Sequence, residues 1–557
     1  MVKSVTFVYK MYRRAQKLTV FFLLCVVFNT SLTAQYWYRS NGSLHELWIN
    51  NLDVQKAKFH NKQQWVNVLE DNLSPDSFNV DWFLMNDFSP TKQSENKLPF
   101  YEYSGQLYHE KGEKYSLFVN PLLHLSYGSE NGKTLYQNTR GVEFKGNLGG
   151  KNGLGFYSVI TENQWSPPSY VDSFRNRNEV IPGQIWYKDF KGNAYDFIGA
   201  RGYITFSPIK DFVSAQFGHD KNFIGFGERS LILSDFAAPY LFLKLNTKFG
   251  KYIEYQNIFS RYTNQSPLLG NTLFSHKFGA THRISAKLGK RTFLGISEML
   301  VFDRNDSLGN NRYDLAYLNP IIFLRAVEID AGSNDNVIMA LDIKHHFPKF
   351  NSIAYGQFVL DEFSINFIRQ RNNWWGNKFG YQLGAKYANK ASQKSQLSVS
   401  AEYNRVRPYT YSHFNSSSNY SHFNQALAHP FGSNFHELFT RINWVPHLRT
   451  FRKQDAIIFD FSLSLARKGV DTMGGANFGG NILVDNSTRV QDFNNNIFQG
   501  REVNSVILNS TLSYRLGQAS YFDISFGYRA GSQYIGEGTS LSLGYRLNTD
   551  FRNSSWY

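Results

Sequence analysis

Five histidines crowd one stretch of the chain, His413, His422, His429, His436 and His447, and imidazole nitrogen is a common metal ligand. Their spacing matches no ligand grammar, so they read as exposed, loop-borne side chains. Asp342 and the adjacent Asp361 and Glu362 invite a second reading, as paired carboxylates of a glycosidase. Neighbours on a strand point to opposite faces, which denies Asp361 and Glu362 a shared bond to flank and makes them solvated lumen-lining charge. His436-Glu437 is followed by Leu438, Phe439 and Thr440, so the metalloprotease pattern fails at its second histidine. Gly225, Gly227 and Ser230 resemble a dinucleotide loop only superficially, without the strand–helix unit that such a loop needs. The single cysteine, Cys25, lies in an apolar leader, which removes thiol catalysis, thiolate metal sites and disulfides from the mature chain. No enzyme activity, metal or cofactor is expected.

The compartment is written at the N-terminus. Lys3, Lys10, Arg13, Arg14 and Lys17 precede the uncharged apolar run 18–28, and small residues lead to Ala34. This is the order of a secretory signal peptide, too short to span a bilayer, with cleavage expected near Ala34. The Arg13-Arg14 pair leaves twin-arginine export as an alternative, while the very apolar core favours the ordinary route. The whole chain of 557 residues has a mean hydropathy of −0.41, and beyond the leader it lacks a long uncharged apolar window, which excludes a multi-helix membrane protein. With 49 Phe, 34 Tyr and 10 Trp, disorder is equally excluded.

From about Tyr115 onward the dominant signal is period two. Phe522, Ile524, Phe526 and Tyr528 alternate with Tyr521, Asp523, Ser525 and Gly527, and Leu541, Leu543, Tyr545 and Leu547 repeat the pattern. Short joins at 148–153, 207–210, 247–250, 289–292, 346–352, 388–396, 445–456 and 517–520 alternate with long ones at 164–198, 218–239, 302–336, 405–435 and 467–504. Alternation of this kind separates periplasmic turns from extracellular loops in outer-membrane barrels. The expected fold is all-β: a transmembrane antiparallel barrel of roughly 18 strands, over 115–557. The chain ends Trp556-Tyr557 in the outward register, with Asn553 and Ser555 interrupting it; this resembles the signal read by the barrel assembly machinery. Residues 35–114 differ: Ser43 and Glu46 form a capping box before Leu47, Trp48 and Leu52, which predicts a mostly helical plug segment, a flexible periplasmic arm being the alternative.

The long loops carry ordered motifs. One includes Gly218, Asp220, Asn222, Gly225, Gly227, Arg229, Ser230, Ser234 and Asp235; another joins Asn319-Pro320 to Asn336 and Asp342; a third runs from Arg405 through Tyr409 and Tyr411 to His429, Pro430, Gly432 and Glu437. Together, over roughly 200–444, they resemble the capsule-assembly outer-membrane barrel family of the Wzi type and the similar gliding-motility outer-membrane protein of the RemB type. Ala428 stands where the Wzi pattern usually has glycine before His429-Pro430. The resemblance implies a barrel of the Gram-negative outer membrane, partly plugged by N-terminal helices and working without catalysis in the attachment of surface polysaccharide or adhesive material; a diffusion channel is the alternative. The glycines suit a loop folded over a lumen, with Asp220, Arg229 and Asp235 as candidate ion-pair locks. Trp374, Trp375, Tyr409 and Tyr411 are the exposed candidates for stacking on sugar faces, and an interfacial aromatic girdle is the competing reading for them.

Charge sharpens the choice of partner. Removing the five leader cations from a net +15 leaves +10, and the short turns alone hold eleven basic residues against Asp455. The long loops nearly cancel, so an exterior basic patch does not explain polysaccharide binding. A nucleic-acid partner fails on compartment. Membrane lipid and a surface polysaccharide or adhesin remain.

Overall fold

A computed structural model of the chain describes residues 107–548, apart from 113, 150–153, 193, 210–211, 265–274, 305–311, 320–334, 390–394, 447–455, 473–474, 517–519 and 532–535, together with two paired strands, Tyr36–Trp37 and Val66–Asn67. The signal peptide, most of the N-terminal helical segment and the C-terminal Trp556-Tyr557 lie outside the described residues. Where the predicted plug segment is assigned secondary structure, at Tyr36–Trp37, Val66–Asn67 and Tyr108–Lys111, it is strand.

The period-two pattern resolves into 18 strands that pair antiparallel with their neighbours and close into a barrel. They are β1 (Tyr115–Glu130), β2 (Lys133–Leu148), β3 (Leu154–Ser166), β4 (Ala194–Ile209), β5 (Val213–Asp220), β6 (Tyr240–Phe249), β7 (Ile253–Thr263), β8 (His276–Leu288) and β9 (Thr292–Phe302). The second half comprises β10 (Asn336–Phe347), β11 (Ser352–Glu362), β12 (Lys378–Ala388), β13 (Gln396–Val406), β14 (Phe435–Val445), β15 (Ala456–Val470), β16 (Arg501–Leu516), β17 (Ser520–Ala530) and β18 (Gly538–Leu547). Closure runs from Ser540 opposite Glu130 to Leu547 opposite Leu123. Below that point Tyr108–Lys111 takes over as the partner of β1, pairing with residues 116–119.

The distribution of side chains is inverted relative to a water-soluble barrel. Leu541 and Leu543 are 55% and 62% exposed on the outside, with Ile524, Leu383, Ile343 and Leu438 likewise outward, while Arg283, Asp342, Arg441 and Asp523 are buried inside. A closed sheet leaves no unpaired backbone edge, and an apolar exterior of this extent is satisfied by hydrocarbon. The architecture is therefore that of an outer-membrane barrel. One rim carries short turns and the other the long loops, with one departure from the expected alternation: β1 and β2 meet in a tight Asn131-Gly132 hairpin on the long-loop rim.

A second departure concerns the interior. The lumen is polar along β16, β17 and β18, but under the long loops it holds an apolar core in which Ile224, Leu231, Leu233 and Phe236 pack with Tyr411, Tyr420 and Leu427 against Phe242, Met299, Val301 and Val406 of the wall. Helix α1 (Ser169–Asn178) joins the same cluster through Phe174, which meets Phe236 edge to face. Backbone that leaves the sheet has to bury its apolar residues somewhere, and the inside of the barrel is the one water-excluding surface within reach.

Candidate functional site

Segment 221–239 folds into the barrel. Its turn is stapled by Ser230, whose hydroxyl donates to the Ile224 carbonyl at 2.5 Å and accepts from the Ile232 amide at 3.0 Å. The wall then reads its backbone. The Glu228 and Arg229 amides donate to the two oxygens of Glu402 at 2.8 and 2.9 Å, and the Leu231 amide donates to Gln357 at 2.8 Å. Gln382 donates to the Arg229 carbonyl at 3.1 Å. Only glycine permits this approach: a Cβ on Gly227 would lie 2.6 Å from a Glu402 oxygen, and Gly225 has φ +148° with Gln357 at 2.4 Å from its would-be Cβ.

Segment 407–434 packs on the first. Tyr411 and Tyr420 donate their hydroxyls to the Leu231 and Ile232 carbonyls at 2.7 and 2.8 Å, and the Ser234 amide donates to the Leu427 carbonyl at 2.7 Å. The Ser234 hydroxyl donates to the carbonyl of Ala428. Both segments converge on Glu437 of β14, a fully buried carboxylate. It meets the Arg229 guanidinium at 3.6 Å, His429 Nε2 at 2.7 Å and the Ser464 hydroxyl at 2.6 Å. His429 Nδ1 accepts from the Phe431 amide at 3.1 Å, which fixes Nε2–H as the donor to Glu437. Burial holds the His429 pKa below its ordinary value, partly opposed by Glu437. His422 is held in the same way, with Nδ1 accepting from the Thr263 amide at 2.9 Å and Nε2 facing the Pro239 carbonyl at 3.2 Å. Burial pushes its pKa down to about 3.

Several sequence expectations change. The histidines are not an exposed set: His413, His422 and His429 are buried, His436 is partly buried, and His447 lies outside the described residues. Tyr409 and Tyr411, expected to be exposed, are 1% and 0% exposed; their hydroxyls are taken up by the carbonyls of Asn477 and Leu231. Asp361 and Glu362 do not diverge as neighbours on a regular strand would. The ladder to β12 shifts register between Leu360 and Glu362, and Lys378 reaches both carboxylates, at 3.3 and 3.2 Å. The expected lock among Asp220, Arg229 and Asp235 takes a different form. Asp220 faces Arg201 at 3.6 Å, Arg229 pairs with Glu437, and Asp235 is buried.

The remaining motif residues are dispersed. Gly218 sits within β5 against Tyr203 rather than in a loop. Asn222 accepts from Lys244 at 3.1 Å, Asp342 is gripped by Arg283 at 2.7 Å, and Asn336 donates to the Ser418 carbonyl at 3.0 Å. Asn319 ends the short helical turn Leu315–Leu318, Pro320 lies outside the described residues, and Gly432 closes a turn by donating to the His429 carbonyl at 2.8 Å beside the buried Pro430. Gln357, Gln382, Glu402 and Ser464, which do as much of the fastening, escape sequence reasoning, because a polar inward residue is what any barrel strand shows.

The long-loop rim also carries an aromatic patch. Trp374 packs beside Phe367 at 4.7 Å between centroids, Phe367 meets Phe493 at 5.8 Å, and the Arg489 guanidinium lies 4.2 Å from the Trp375 ring. Trp374 and Trp375 are partly exposed and Phe493 is 42% exposed. Backbone hydrogen bonds from Trp375 to Asp492, Asn494 to Asn372 and Asn495 to Asn373 join the two loops, 363–377 and 471–500, that build this patch.

No protein-family model matches the chain, and no curated protein matches it. Among solved structures it is similar to Wzi of Escherichia coli, an outer-membrane protein involved in group 1 capsule assembly and a carbohydrate-binding β-barrel, at 12% identity over 77% of this chain and 85% of that one, with a TM-score of 0.46. It is also similar to OprD of Pseudomonas aeruginosa, at 12% identity over 78% and 96% and a TM-score of 0.40, and to OccAB3 of Acinetobacter baumannii, at 9% over 78% and 98% and a TM-score of 0.42. None of these likenesses assigns the chain to a family.

Proposed function

We propose that the chain is a non-enzymatic outer-membrane surface protein that helps to attach or organise capsular polysaccharide, exopolysaccharide or adhesive material, in capsule assembly or gliding motility. The observation that carries this reading is the inward fastening of segments 221–239 and 407–434 through Glu437. Loops committed to the barrel interior make a rigid support, and a rigid support suits presentation of a fixed outer surface. That surface holds the rings of Trp374 and Phe493 beside the amides of Asn373 and Asn496, themselves hydrogen-bonded at 2.8 Å. Ring faces and amides together recognise the apolar faces and hydroxyls of sugars. Neutral recognition also agrees with loops whose charges nearly cancel.

The test is deletion of the gene followed by complementation. Loss of surface polysaccharide retention, adhesion or spreading is expected, restored by the native chain and not by a Trp374→Ala, Phe493→Ala variant present in the membrane at the same level. Unchanged retention, adhesion and spreading after deletion would sink the proposal. A diffusion channel is the second reading, favoured by the small inward residues of β17 and β18; porin-like conductance in planar bilayers would move the assignment there.

A further inference from the structure

The inward-folded loops fill one side of the barrel and leave the other open. Along β16 to β18 the inward positions include the small residues Asn509, Thr511, Ser525, Gly527, Ser540 and Ser542, beside Asp523, Arg529 and Arg546. A cavity of about 170 Å³ remains, bounded by these strands, by β1 and β2, and on the opposite side by Arg229 and Phe439. From Gly538 to Arg546, both at its wall, the span is eight residues of β18, or about 27 Å at the strand rise of about 3.4 Å per residue.

Its chemistry is specific. Four arginines and four carboxylates line it, so it carries no net formal charge although the chain as a whole is basic. Three of the arginines are spent on carboxylates: Arg229 on Glu437 at 3.6 Å, Arg441 on Asp460 at 2.6 Å, and Arg546 on Asp523, which also takes the Ser513 hydroxyl at 2.6 Å. The fourth, Arg529, lies 3.6 Å from the centroid of the Tyr170 ring. Asn509, Ser540 and Ser542, by contrast, make no side-chain hydrogen bond with the described residues. Trp165, Tyr136 and Tyr170 add ring surface on the side of β2, β3 and α1.

We propose that this residual lumen is a binding site for a small neutral saccharide, of one or two rings, distinct from the aromatic patch on the rim. A neutral polyhydroxylated ligand matches a lining that offers hydroxyls and amides as both donors and acceptors, with rings for its apolar faces. An anion would have to compete with the carboxylates already on Arg229, Arg441 and Arg546, and a cation with the guanidiniums already on Asp460 and Asp523.

The experiment uses the full chain in detergent, with binding of glucose, sucrose and maltose measured by calorimetry against glucuronate. At least one neutral sugar binds, and glucuronate binds about tenfold more weakly or not at all. Ser540→Trp and Ser542→Trp, each checked for retained strand content by circular dichroism, fill the cavity and weaken binding at least about tenfold. Trp374→Ala, which tests the rim, leaves it unchanged. The proposal is overturned if no neutral sugar binds the folded chain, if glucuronate binds more tightly than every neutral sugar, or if binding survives both tryptophan substitutions. It is equally overturned if Trp374→Ala abolishes binding, since the sugar then sits on the rim. The cell-surface test above reads the rim alone, so the two ideas fail separately.

Discussion

Glu437 ties the two inward segments to the wall. It sits on the wall, yet its partners Arg229 and His429 come from the two different inward segments, and Arg229 also lies 4.5 Å from the Phe439 ring centroid. A buried carboxylate with these neighbours is expensive to remove, because its partners lose their compensation while staying out of water. Glu437→Ala is expected to lower stability by about 3–5 kcal/mol, the range for breaking a buried pair. Thermal unfolding in detergent measures it. The double variant with Arg229→Met is expected to lose less than the sum of the single losses, since the second change removes the stranded cation; strict additivity would show that the 3.6 Å pair contributes nothing.

At the scale of elements, the inward loops are expected to respond to pH through His422 and His429, whose burial favours the neutral ring. His422 and His429 each use one ring nitrogen as acceptor and present the other to a carbonyl or a carboxylate. A folded-state pKa of about 3 for His422 against an unfolded value of about 6.5 means that the unfolded chain binds the extra proton. Stability is therefore full above about pH 6.5 and falls as the pH drops toward 3. The unfolding midpoint is expected to decline over that window, and His422→Asn is expected to flatten part of the decline; an identical slope in the variant refutes the assignment. The same loops show what a sequence displays and what it hides. The strands were legible because a lipid-facing exterior forces Leu541, Leu543, Ile524 and Phe526 into strict alternation. The glycines of segment 221–239 and the idea of a loop over a lumen were legible as well. Tyr409 and Tyr411 were not, since a loop aromatic has the same neighbours in sequence whether it faces a sugar or another loop. The pairing of Asp361 with Glu362 on Lys378 was hidden by a bulge, which period-two counting cannot anticipate.

For the whole molecule, the decisive geometry is which rim faces the cell exterior, because the rim patch functions only if it does. Short turns on the periplasmic side and long loops outside follow the rule for such barrels, and Lys248, Lys290, Arg291 and Lys349, the basic residues of these turns among the described residues, then lie on the periplasmic rim. The chain supplies its own test, since its single cysteine, Cys25, lies in the expected leader, so that introduced thiols report alone. Asn366→Cys lies on the exposed face of the short helix Ile365–Gln370 at the long-loop rim, and Phe350→Cys lies on a short turn, where Phe350 is 69% exposed. Ser230 is fully buried at the staple of segment 221–239. A membrane-impermeant maleimide applied to intact cells is expected to label Asn366→Cys at once, to label Phe350→Cys only after the outer membrane is permeabilised, and to leave Ser230→Cys unlabelled until the protein is denatured. Labelling of Phe350→Cys in intact cells would invert the barrel and place Trp374 and Phe493 in the periplasm, where no surface polymer reaches them. Rapid labelling of Ser230→Cys would mean that the loops stand open, and the rigid support on which surface presentation depends would be lost with them.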